Sequence, residues 1–76
     1  MNKLRRAELN KILTQLNSLL SDIDALKDEE QDAFDNMPEG IQESEKGERM
    51  SEVIDDLQSA MDSIEEAAGY LEESIN

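Results

Sequence analysis

The sequence predicts an all-α protein: an antiparallel, coiled-coil-like two-helix hairpin, expected to dimerise into a four-helix bundle. Three observations predict it. Apolar residues recur at helical spacing in two long runs, the only Pro separates the runs, and the charge changes sign along the chain. The 76 residues are read as a single helical-hairpin domain, 1–76, with helix 1 over about 2–35, a hinge at 36–44 and helix 2 over about 45–74.

In helix 1 the heptad positions fall as follows. Leu9, Leu16 and Ile23 take position a, Ile12, Leu19, Leu26 and Ala33 take d, and Leu13, Leu20 and Phe34 take e. Such a stripe marks one face of an amphipathic helix. The pattern lapses at Lys27 (e) and Glu30 (a), then returns at Met37.

The hinge Asn36-Met37-Pro38-Glu39-Gly40 follows. Proline removes a backbone donor and clashes with the preceding turn, at a cost of roughly 3 kcal/mol inside a helix. It also pushes its predecessor out of the α region. Pro38 is compatible with a short turn of helix through Ile41. Met37, Ile41 and Met50 are expected at the hairpin tip, capping the apolar interior or lying partly open.

Helix 2 repeats the scheme. Met50, Leu57, Ile64 and Leu71 take a, Val53, Ala60, Ala67 and Ser74 take d, and Ile54, Met61, Ala68 and Ile75 take e. Ser44 is the expected N-cap, with Glu45 favourable in the first turn. Gly47 is expected to weaken that turn by up to about 1 kcal/mol relative to Ala.

Matched lengths and a short connection favour an antiparallel pair. Lys3, Arg5, Arg6 and Lys11 against Glu8 give residues 1–20 a charge of +3, whereas residues 51–76 carry −8 with no basic residue. Folding back sets the basic start beside Glu65, Glu66, Glu72 and Glu73. An apolar face spanning a, d and e is wider than a two-stranded seam needs. The e residues Leu13, Leu20, Ile54 and Met61 are therefore expected to stay wet in a lone hairpin, which favours a dimer. The core and oligomer stripe comprises Leu9, Ile12, Leu13, Leu16, Leu19, Leu20, Ile23, Leu26, Val53, Ile54, Leu57, Met61, Ile64 and Leu71.

Composition narrows the function. With no Cys and no His there is no disulfide, no usual zinc, copper or haem ligand, and no Cys- or His-based catalytic pair. No catalytic, cofactor-binding or metal-binding residue is assigned, and no enzyme activity is expected. An EF-hand register from Asp22 fails, because Leu26, Lys27 and Ala33 occupy its fifth, sixth and twelfth places. Neither a membrane span nor a secretory signal is recognisable, so a cytoplasmic location is expected.

The remaining signal is acidity: 20 Asp and Glu against seven Lys and Arg, net −13. Such a surface repels nucleic acids and anionic membranes and favours a basic protein partner. Asp55, Asp56, Asp62, Glu65, Glu66, Glu72 and Glu73 are expected on the outer face of helix 2. Helical carboxylates three or four residues apart sit about 5–6 Å from one another, comparable to phosphates along a strand. A solvated face that only keeps the chain soluble is the simpler account. The absence of Lys and Arg after Arg49 argues against it, because a helix selected for stability alone would mix signs.

The stretch from Asp28 to Met50, DEEQDAFDNMPEGIQESEKGERM, resembles the centre of small acidic helical proteins of bacteriophages and other mobile elements of bacteria. Those proteins also open with a basic patch like Lys3, Arg5 and Arg6 and end in an acidic helix. The resemblance implies an accessory factor acting inside a bacterial host cell and carries over no active-site residues. The resulting expectation is a non-enzymatic binding protein that docks on a basic, nucleic-acid-handling host protein and inhibits it by nucleic-acid mimicry. The alternative is a scaffolding module that binds partner helices through its apolar stripe.

Overall fold

The computed structural model describes residues 1–76. Helix α1 covers Lys3–Asp35, the single turn α2 covers Glu39–Gln42, and α3 covers Glu45–Ile75, with no strand. Asn2 caps α1, its Oδ1 accepting the Arg5 amide at 2.8 Å. No helix is long and apolar enough to cross a membrane.

The two long helices run antiparallel along a rod of 58 × 15 × 13 Å. Lys27 Nζ donates to Gln58 Oε1 at 2.6 Å, and Asn10 and Leu13 lie beside Glu72, Ile75 and Asn76. The radius of gyration is 17.3 Å, against about 11 Å for a compact globule of this length. Such a rod has almost no interior. Met61 and Ala68 are its only buried apolar side chains, at 8% and 5% exposure.

The hinge is held by its own polar groups. The last carbonyls of a helix have no partner within it. The Gln42 side chain supplies one, its Nε2 donating to the carbonyls of Phe34 at 3.0 Å and Met37 at 3.1 Å. Ser44 caps α3, its hydroxyl accepting the Gly47 amide at 3.4 Å and donating to the Ile41 carbonyl. Pro38 stands just before the hinge helix, as its cap, rather than inside it.

Three expectations change. First, the seam between α1 and α3 uses positions a and e, not a and d. Leu9, Leu13, Leu16, Leu20, Ile23 and Phe34 are half-buried, and Ile54, Leu57, Met61, Ile64, Ala68 and Leu71 face them. Leu13, Leu20, Ile54 and Met61 are thus inside. Ile12, Leu19 and Leu26 are the residues left out, at 45%, 52% and 57% exposure. A two-stranded contact needs only a narrow stripe, and steps of four and three residues, as in 13-16-20-23-27-30-34, define it. Lys27 and Glu30 do not interrupt it, since both remain half-buried in the seam.

Second, Gly47 does more than weaken a turn. It is buried, and a Cβ there would overlap the Gln42 backbone, whose Cα lies 2.7 Å away. Only glycine lets α3 start this close to the hinge. Third, the basic start of α1 forms no ion pair with the end of α3. The single ion pair is Arg49–Glu52 at 3.1 Å, both side chains open to solvent.

Candidate functional site

The rod offers two surfaces and one distinctive end. The acidic surface follows from helical phase. In α3 positions a and e point at α1, so c and f point away and b falls on one flank. Asp55 and Asp62 take f, Glu65 and Glu72 take b, Glu66 and Glu73 take c, and all six are exposed. Asp56, at g, is also exposed but lies toward the other flank. Of the seven, only Asp62 accepts a side-chain hydrogen bond within the chain, from Gln58 Nε2 at 3.0 Å. The remaining carboxylates are free to meet an external donor. No group of three or more acidic side chains converges into a metal-holding arrangement.

Glu65 also rims a shallow groove on the polar flank, with Leu20, Ser21, Asp24, Gln58 and Met61. Its two carboxylates belong to opposite helices. No deep cleft lies between the helices that would exclude water from a reacting group.

The apolar surface lies on the opposite flank. When two helices pack antiparallel through a and e, their d positions fall on one shared flank and their b positions on the other. The d row of α1 is Arg5, Ile12, Leu19, Leu26 and Ala33, and that of α3 is Val53, Ala60, Ala67 and Ser74. Large side chains thus stand beside small ones along one side of the rod. Tyr70, 63% exposed at g, borders the row. The b flank carries Asn10, Asn17, Asp24 and Gln31 from α1 and Ser51, Gln58, Glu65 and Glu72 from α3, and is wholly polar. Positions a and d together would point at the centre of a four-helix arrangement, with e filling the contact inside each hairpin.

The distinctive end is the start of α1. The helices are offset: α3 finishes at Ile75, and Ile75 and its cap Asn76 lie beside Asn10 and Leu13. Residues 1–8 run past it and are all exposed. Lys3, Arg5 and Arg6 project there without any ion pair, and Leu4 is 69% exposed. Sequence periodicity locates the helices but not their offset, which depends on the length of the hinge.

No protein-family model, no curated protein and no solved structure matches the chain.

Proposed function

We propose that this protein is a non-enzymatic binding factor whose α3 carboxylates dock on a basic protein surface, in place of a nucleic acid. The supporting observation is the row Asp55, Asp62, Glu65, Glu66, Glu72 and Glu73, exposed along one helix with no basic residue among them. An unscreened row of this kind accelerates encounter with a cationic groove and repels polyanions. The reading places the protein in the cytoplasm of a bacterial host, as a phage or mobile-element accessory factor. The resemblance of the Asp28–Met50 segment motivates that context.

The functional unit in this proposal is a pair of hairpins joined through the d flank as a four-helix bundle. That pairing covers Ile12, Leu19 and Leu26 and leaves the α3 carboxylates outward.

Capture from bacterial lysate tests the reading. Immobilised protein retains a basic, nucleic-acid-handling protein at low salt, releases it as salt rises, and gives it up to competing duplex DNA. The variant with Asp55, Asp62, Glu65 and Glu66 all changed to Lys retains nothing. Equal retention by that variant rules the reading out.

A second reading is favoured by the exposed Ile12, Leu19 and Leu26: a structural module whose stripe receives the helices of another protein. It predicts binding that is insensitive to salt and lost in Leu19→Asp.

A further inference from the structure

Two hairpins can share their d flanks in two symmetric ways. In one the rods point the same way, with both hinges at one end. In the other they point oppositely, and each hinge lies beside the partner's chain termini. The apolar rows permit both, so charge decides.

Charge is graded steeply along the rod. The overhanging turns of α1 carry Lys3, Arg5 and Arg6 against the single acid Glu8, and Lys11 follows just inside the contact with α3. None of the four bases has an ion-pair partner within the hairpin. Between Lys27 and Arg49 the hinge end carries nine acids against Lys27, Lys46 and Arg49, a net charge of −6; among these acids only Asp35 accepts a side-chain hydrogen bond, from Gln31 Nε2 at 3.0 Å. Rods pointing the same way set hinge against hinge and overhang against overhang, repulsive at both ends. Reversal sets overhang against hinge at both ends. Arg5 belongs to the same d row as Leu19, so the row that joins the copies leads directly into the charged contact.

We infer that a second copy of this chain pairs antiparallel along the d flank, the basic overhang of each α1 docking on the acidic hinge end of the other. The inference rests on the pairing of hairpins proposed above and adds its direction and its contacts. Only the two-fold operation that exchanges the ends of the rods satisfies both overhangs at once.

Light scattering and pulsed electron paramagnetic resonance test it on the full chain. The protein has no cysteine, so single nitroxide labels can be placed at Ala7→Cys and Ser21→Cys, both exposed positions two heptads apart in α1. Light scattering is expected to give the mass of two chains. Ala7 lies far from the middle of α1 and Ser21 near it. In the antiparallel pair the two Ala7 labels are therefore offset along the rod by about 40 Å at 1.5 Å per residue, and the Ser21 labels by only a few ångströms. The Ala7 distance is then by far the longer.

Changing Lys3, Arg5 and Arg6 to Glu is expected to weaken pairing about tenfold or more while circular dichroism stays helical. Equal distances for the two labels mean rods pointing the same way, which overturns this inference and leaves the bundle standing. The mass of one chain overturns both. An unchanged dissociation constant in the triple Glu variant removes the overhang contact.

Discussion

Gly47 and Gln42 form a single device. The Gln42 side chain closes the end of α1 by donating to the carbonyls of Phe34 and, in the hinge, Met37, and its backbone lies where a Cβ of residue 47 would be. Two glycines of α3 therefore respond oppositely to the same change. Gly47→Ala forces α3 away from the hinge and is expected to cost about 1–3 kcal/mol, like other overpacked sites. Gly69 has open space around its Cβ position, so Gly69→Ala is expected to stabilise by about 0.5–1 kcal/mol through helix propensity alone. Thermal melts followed by circular dichroism separate the two. A rise in melting temperature for both variants would contradict the tight approach at Gln42.

Within each helix, phase divides the apolar residues into two groups with different duties. Neighbouring leucines make the point. Leu20 faces α3 and is half-buried, whereas Leu19, one residue earlier and 100° round the helix, is 52% exposed. An unpaired carboxylate is costly in the seam and nearly free in solvent. Leu20→Asp is expected to cost about 3 kcal/mol or more, enough to abolish helical circular dichroism in a fold this thin. Leu19→Asp is expected to keep the helical spectrum and reduce the mass in light scattering to one chain. The reverse result, with Leu19→Asp unfolded and Leu20→Asp intact, would mean that the seam lies at a and d after all.

The rod as a unit carries −13 on a body 58 Å long and 15 Å wide. Self-repulsion opposes folding, and salt relieves it. The Debye length falls from about 30 Å at 0.01 M to about 10 Å at 0.1 M, so the melting temperature is expected to rise over that range. Binding to a basic partner is expected to weaken over the same range. Opposite slopes for stability and binding, measured by thermal melts and titration calorimetry, are the signature of a functional acidic face. If binding strengthens or stays level with salt, the carboxylates are not what the partner recognises.

Sequence periodicity was sufficient for the two long helices, the break at Pro38 and the Ser44 cap, because each depends on contacts within a few residues. The same periodicity sets Asp55, Asp62, Glu65, Glu66, Glu72 and Glu73 off the apolar rows, where they are exposed, whereas Asp56 at g lies toward the apolar flank. Which two of the three apolar positions meet inside the hairpin was decided in three dimensions. So were the half-buried places of Lys27 and Glu30, the requirement for glycine at 47, and the overhang of Lys3, Arg5 and Arg6. Each of these depends on how far one helix is rotated and slid against the other. Rotation and offset are set jointly by the hinge and by packing between residues some thirty to sixty positions apart, and a repeat of seven residues is blind to both.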